Sequence, residues 1–320
     1  SVVRPDGVIG PLYDDLAASL AASHEVIEFS YDWRKPVEDE ARRLALVAEA
    51  AFTSRTQSHQ PVRFVAHSMG GLVVRTMALV APALWQNLMA RRGARVLMLG
   101  TPNAGSWAPM QVLSGDDTFG NTLTAFGAPF QDHAARQLMA QMPGFLQLQA
   151  ALTDGHHQLD RETTWQALAD ADFAAVNEYN SWHSEQIQLN AYRWGVPRQA
   201  VLDAAKAFRL ALDTQRERDL PRYADKLLLV VGRARFTPDG YELGGQGLEY
   251  LDALEAGDGR VTRASALLPG VRTWAVDCEH GALPDFDKAF AAYAELLESG
   301  STSDPALEPV RWSINTHRGC

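Results

Sequence analysis

The stretch Pro61-Val-Arg-Phe-Val-Ala-His-Ser-Met-Gly-Gly-Leu-Val-Val-Arg75 leaves the surrounding chain little freedom. The apolar run Val62, Phe64, Val65, Ala66 predicts a short buried strand. It breaks at His67-Ser68-Met69-Gly70-Gly71 and resumes as a helix with Leu72, Val73, Met77 and Leu79 apolar. A strand that turns sharply into a helix needs small residues around the turning point. Ala66 and Gly70 lie two before and two after the serine. Such a turn lifts the Ser68 hydroxyl above the carboxyl end of the strand and aims the positive end of the helix at it. This is the G-x-S-x-G nucleophile elbow with alanine in its first position. A serine that merely caps the helix would not require three small neighbours.

A neutral serine hydroxyl is a weak nucleophile and needs a base, which in turn needs an anion to hold its tautomer. In folds that use this elbow the partners follow in the order acid, then histidine, each on a loop after a later strand. Asp258 lies in a Gly-Asp-Gly turn after the apolar run Lys226–Val231, and His280, followed by Gly281, lies just past the run Val271–Val276. Asp277 and Asp239 are rivals for the acid. Asp277 precedes His280 too closely to orient it easily, and a turn role suffices for Asp239 in Pro-Asp-Gly. The Met69 backbone N–H, at the helix start, is the expected oxyanion donor. A second donor ordinarily comes from a loop after an earlier strand. That segment is expected before Ser1, where the chain starts without a methionine, so the sequence reads as truncated at its amino end. His67 is expected to be buried, hydrogen-bonded and turned away from the serine hydroxyl.

Around these motifs the first hundred residues alternate helix and strand, the pattern of a mostly parallel sheet with helices on both faces. A Pro5-Asp6-Gly7 turn opens the chain, and Leu12, Leu16 and Leu20 mark an amphipathic helix. Val26–Tyr31 predicts a strand, the acidic run after Pro36 a helix to Ser54, and Ala94–Leu99 another strand. From 107 to 222 no strand is predicted. Helical periods there are broken by Pro109, Pro129, Pro143 and Pro197, and Trp107, Trp165, Trp182 and Trp194 either line an acyl pocket or pack a local core. The chain thus divides into a first core part (1–106), a helical cap (107–222), a second core part (223–299) and a loose tail (300–320). Residues 232–257 read as a Gly-rich excursion with a flexible turn at Gly244–Gly247. Pro284–Leu297 predicts a closing amphipathic helix.

The formal net charge of −10 over 320 residues argues against a nucleic-acid partner. A lipid surface is expected to touch the chain only transiently, through the cap. No apolar run approaches the roughly 18 residues of a membrane span. Two cysteines, Cys278 and Cys320, build no disulfide framework or cysteine zinc site and fit a cytoplasmic setting. His156-His157 with Asp160 matches no metal-site spacing, so no metal or cofactor is expected.

Four islands, Tyr31-Asp-Trp-Arg34, Ala66-His-Ser-Met-Gly-Gly71, Gly100-Thr-Pro-Asn-Ala-Gly-Ser106 and Gly257-Asp-Gly-Arg-Val261, occur in an order that resembles the lecithin:cholesterol acyltransferase-like lipases, a branch of the α/β-hydrolases. The resemblance runs from about Asp6 to His280; the cap matches in position only. It implies a Ser68, Asp258, His280 triad, an acyl-enzyme mechanism on lipid or related esters, and no cofactor. Tyr31–Arg34 is implied to be a structural strand end. Ala66 stands where glycine is usual, and the cysteines of secreted animal members are absent, which favours a bacterial-type member. The competing reading is a catalytically idle interaction module on the same scaffold, part of a longer protein.

Overall fold

The computed structural model describes residues 10–116, 132–179, 193–253 and 256–310. The Pro5-Asp6-Gly7 turn, Pro129, Trp182, Cys320 and the far end of the tail lie outside them.

In chain order the elements are α1 (Gly10–Ala21), α2 (Val37–Ser54), β1 (Arg63–His67), α3 (Met69–Val80), α4 (Pro82–Ala90) and β2 (Arg95–Leu99). Next come α5 (Ala108–Ser114), α6 (Asp132–Met139), α7 (Pro143–Leu146), α8 (Glu162–Tyr179) and α9 (Gln199–Arg218). The chain then runs through β3 (Leu227–Val231), β4 (Pro238–Gly244), β5 (Gly247–Asp252), α10 (Arg263–Ala266), β6 (Arg272–Ala275), α11 (Phe290–Ser299) and β7 (Glu308–Pro309). One sheet has the order β1-β2-β3-β6-β7. Its first three pairings are parallel, and β7 closes the edge antiparallel to β6.

The alternation of side chains along the two central strands builds a core on each face. Val96, Met98, Leu227 and Leu229 point to one side, where they pack with Val37, Leu44, Leu72, Met77 and Phe208 from α2, α3 and α9. Leu97, Leu99, Leu228 and Val230 point to the other and meet Leu16 and Leu20 of α1 and Tyr293, Leu296 and Leu297 of α11. Both strands are therefore apolar at nearly every position. β1, at the sheet edge, keeps only Phe64 and Ala66 in the core and leaves Val65 36% exposed. The fold is a mostly parallel α/β sheet with helices on both faces.

The segment between β2 and β3 is helical, and among its described residues no strand occurs. It has its own core, in which Trp107, Trp165 and Trp194 are buried. Trp165 donates to the Leu159 carbonyl and Trp194 to Asp172. These three indoles thus pack the segment's own core. The segment is keyed to the start of α2. Gln147 accepts from the Val37 N–H at 2.7 Å and donates to Glu38 at 2.8 Å, capping a helix whose Pro36 offers no side-chain cap. Trp33 packs edge-on against Phe145.

Three expectations need correction. Val26–Tyr31 is not a strand: no partner strand pairs with it among the described residues, and Val26 and Ile27 face solvent. Residues 238–252 form a paired hairpin with Tyr241 opposite Tyr250 and a two-residue connection between Gly244 and Gly247. The hairpin is anchored by its Leu248 N–H to Asp172 and by Tyr250 to Ser114, so the turn that reads as loose caps a defined ribbon. The tail is not loose up to residue 310. Leu307 is buried and β7 pairs with β6, because the sheet edge supplies unmatched backbone groups to residues whose side chains carry little signal. The closing helix begins at Phe290 after a short 3₁₀ turn at Asp287–Ala289.

Candidate active site

Ser68 lies between β1 and α3 with φ 54° and ψ −128°, a backbone conformation that L-residues with side chains seldom adopt. The surrounding structure enforces it: the Ser68 N–H donates to the Leu99 carbonyl at 2.8 Å, tying the turn to β2. Of the two glycines in the elbow, Gly71 rather than Gly70 makes the closest approach. A Cβ on Gly70 would stand 3.8 Å from its nearest neighbour, an ordinary contact. One on Gly71 would lie 2.0 Å from Thr101 Oγ1 and 2.7 Å from its Cβ. Gly71 is thus the residue that lets α3 pack on the loop after β2.

The structure brings Ser68, His280 and Asp258 together. His280 Nε2 is 2.8 Å from Ser68 Oγ, and His280 Nδ1 is 2.8 Å from Asp258 Oδ2. The carboxylate can only accept, so the proton sits on Nδ1 and leaves Nε2 free to accept from the hydroxyl. Asp258 is 2% exposed, and its other oxygen accepts from the Arg260 and Val261 N–H groups at 3.0 and 2.8 Å. The Gly-Asp-Gly turn makes this possible. Gly259 has φ 97°, and its N–H donates to Thr237; a Cβ on Gly257 would lie 2.5 Å from the Thr237 side chain. The rivals lie elsewhere: Asp277 and Asp239 are both exposed. Met69, at the first position of α3, presents one of the N–H groups that a helix start leaves without an intrahelical partner.

The loop Gly100–Ser106 ties the site together, a role that the sequence does not display. Gly100 has φ 57° and packs directly on the acid–base pair: a Cβ there would lie 2.9 Å from Asp258 Oδ2 and 3.0 Å from His280 Nδ1. Asn103 accepts from the buried Arg75 through both its carbonyl and its side chain, and donates to the Ala266 carbonyl. Arg209 of α9 also donates to the Asn103 carbonyl, at 2.7 Å. Ser106 donates to the Arg260 carbonyl, and the Ala104 N–H to Ser265. One loop thus connects α3, α9 and the Asp258 turn. Burial lowers the Arg75 guanidinium to about 9 and the Arg209 guanidinium to about 10, which leaves both charged at neutral pH.

His67 is half-buried rather than fully enclosed, hydrogen-bonded as expected, and faces the His280 backbone. Its Nε2 is 2.9 Å from the His280 carbonyl and its Nδ1 is 2.9 Å from the Tyr13 hydroxyl. Cys278, the nearest thiol in sequence to His280, is unpaired; burial and then the charges of Asp258 and Asp277 push it up to about 12. It stays a thiol at neutral pH and is no rival nucleophile.

The remaining candidates are accounted for locally. Asp32 holds Arg34 through two bonds of 2.7 and 2.8 Å, a structural clasp. His157 pairs with Asp154, and Asp160 with Lys206. Among the described residues no group of three or more His, Cys, Asp or Glu side chains is arranged to hold a metal ion. No single helix there is long and apolar enough to cross a membrane.

The structure resembles the Tle4–Tli4 complex structure with a TM-score of 0.52 at 12% identity, covering 83% of this chain and 66% of that one. The mature form of the Bacillus licheniformis lipase BlEst2 matches at 17% identity over 85% of this chain and 78% of its own, with a TM-score of 0.42. Its propeptide form matches at 15% identity over 82% and 41%, with a TM-score of 0.41. No curated protein matches the sequence. The family model for lecithin:cholesterol acyltransferase matches residues 16–203, more than half of the chain and including the whole elbow. The chain belongs to the lecithin:cholesterol acyltransferase family, whose sphere is the transfer and hydrolysis of lipid acyl esters.

Proposed function

We propose that this protein is a serine ester hydrolase or acyltransferase that acts on lipid or related carboxylic esters through an acyl-enzyme. Ser68 Oγ attacks the ester carbonyl while its proton passes to His280 Nε2. Asp258 holds the Nδ1 proton and stabilises the imidazolium. The Met69 N–H faces the developing oxyanion, and the C–O bond of the ester breaks as His280 returns the proton to the leaving alcohol. Water or a second alcohol then repeats the sequence in reverse and frees Ser68. The segment 107–222 acts as a cap over the acyl chain.

The observation that carries this reading is the pair of 2.8 Å contacts joining Ser68, His280 and a buried Asp258, three residues far apart in sequence. A fluorophosphonate probe tests it. Stoichiometric labelling that disappears in Ser68→Ala is expected, and Asp258→Asn should slow ester turnover by about 10⁴-fold, because the amide favours the wrong tautomer of the base. An unlabelled wild-type protein refutes the nucleophile. A loss below about tenfold in Asp258→Asn refutes the acid.

A further inference from the structure

We propose that His67 and Tyr13 are positioning residues for the base: the Tyr13 hydroxyl orients the His67 ring, and the ring clamps the His280 backbone so that the imidazole stays in place after Ser68 is acylated. The inference rests on the assignment of Ser68 and His280 above and goes beyond it.

Each hydrogen bond in this chain can run in only one direction. The His280 carbonyl only accepts, so His67 Nε2 carries a proton and donates across 2.9 Å. Burial, then the nearby His280, lowers His67 from 6.5 to about 3, so the ring is neutral and its Nδ1 is a lone pair. The Tyr13 hydroxyl, 2.9 Å away, must therefore donate to it. The neutral form is also the one that tolerates an imidazolium nearby, since the two histidine rings lie 4.9 Å apart.

The clamp matters because little else fixes the peptide of His280. The residue opens a short 3₁₀ turn, His280–Ala282, and a Cβ on the following Gly281 would meet nothing within 4 Å. On one side the His280 N–H donates to the Asp258 carbonyl at 2.8 Å. On the other, its carbonyl accepts from His67 at 2.9 Å and from the Leu283 N–H at a longer 3.4 Å. His67 immediately precedes the nucleophile. Base and nucleophile are thus joined twice: side chain to side chain through Nε2 and Oγ, and backbone to backbone through the His67 ring. The first link vanishes when Oγ becomes an ester oxygen, and the second does not. In the acyl-enzyme the imidazole must hold its place to take a proton from the incoming water or alcohol. Asp258, the His67 clamp and the longer Leu283 bond remain to hold it there.

The experiment separates acylation from deacylation. Wild type, His67→Phe, His67→Gln and Tyr13→Phe are compared in stopped flow with a short-chain p-nitrophenyl ester, after fluorophosphonate labelling has established Ser68 as the nucleophile in wild type. Phenylalanine keeps the ring volume and loses the donor. Glutamine places an amide N–H near the position of Nε2. In His67→Phe, kcat should fall about 10- to 100-fold, the range that a misplacement near 1 Å produces. Deacylation should slow more than acylation, so that a burst of nitrophenol appears or grows. His67→Gln should recover to within a few-fold of wild type, and Tyr13→Phe should lose several-fold in the same direction. An unchanged ratio of acylation to deacylation in folded His67→Phe or Tyr13→Phe would overturn the proposal, as would a glutamine variant no better than phenylalanine. A wild-type protein that takes no label sinks the underlying assignment instead, and the two failures are told apart by that first step.

Discussion

Replacing Gly100 by alanine perturbs the acid–base pair without touching either residue. The added Cβ would lie 2.9 Å from Asp258 Oδ2, 3.0 Å from His280 Nδ1 and 2.6 Å from Leu283 Cδ1. Ordinary contact for such atoms begins near ~3.4–3.5 Å, so carboxylate and imidazole must each withdraw by about half an ångström, while the leucine methyl can rotate away. Since displacements of about 1 Å lower rates by ~10²-fold, half that distance predicts a loss of about tenfold in the rate of fluorophosphonate labelling. The backbone adds a second effect. With φ at 57° alanine is strained by about 1 kcal/mol, and contact strain raises the destabilisation to roughly 1–3 kcal/mol. Urea melts measure the stability, and the second-order labelling constant, taken well below the transition, measures the site. Gly281→Ala is the control: it stands beside His280 with open space around it and should leave both quantities near wild type. A folded Gly100→Ala protein labelled within twofold of wild type would refute the reasoning, as would a Gly281→Ala protein slowed to the same degree.

Two further predictions concern stability. Gly71→Ala should destabilise by about 1–3 kcal/mol or more, because the new methyl overlaps a buried, β-branched Thr101 that has nowhere to turn. Gly70→Ala, one position earlier in the same helix, should be neutral or stabilise by up to about 1 kcal/mol. Chemical denaturation of the two variants checks the order, and equal behaviour contradicts it. The second prediction is a pH dependence. His67 binds a proton near 6.5 when unfolded and near 3 when folded, so above pH 6.5 the residue contributes nothing to the slope. As pH falls from 6.5 towards 3, the unfolded chain takes up a proton that the folded one refuses, and stability drops by at most about 1.4 kcal/mol per pH unit. The groups facing the ring are Tyr13, His280 and Asp258. His67→Phe should flatten the acid limb over that window by one proton; melts from pH 4 to 8 that keep the full slope would show that the ring titrates in the native state.

What the sequence discloses and what it hides follow from the range of the forces involved. The elbow is legible because a strand, a cluster of small residues and a helix lie within fifteen positions. Asp258 and His280 are legible because each follows an apolar run, and the structure joins His280 to Ser68 and Asp258 to His280. The run Val26–Tyr31 has strand character but finds no neighbour to pair with among the described residues, and propensity alone does not make a ladder. The hairpin at 238–252 hides because its anchors, Asp172 and Ser114, belong to the helical segment. Gly71 and Gly100 look like any other glycines until Thr101, Asp258 and His280 arrive from elsewhere. The direction of His67 was readable from its place before the serine. Its partner, 213 residues away, was not.

The Gln147 cap on α2 has a bearing on how such proteins diversify. A segment that supplies the hydrogen bonds for the first turn of a core helix cannot be exchanged as an independent cassette: a transplanted replacement without an equivalent amide would leave the Val37 N–H stranded and Glu38 without its partner. Exchanges within the segment should therefore be tolerated in the portions far from residues 143–149. That short stretch stays behind as the socket into which each successive variant is fitted.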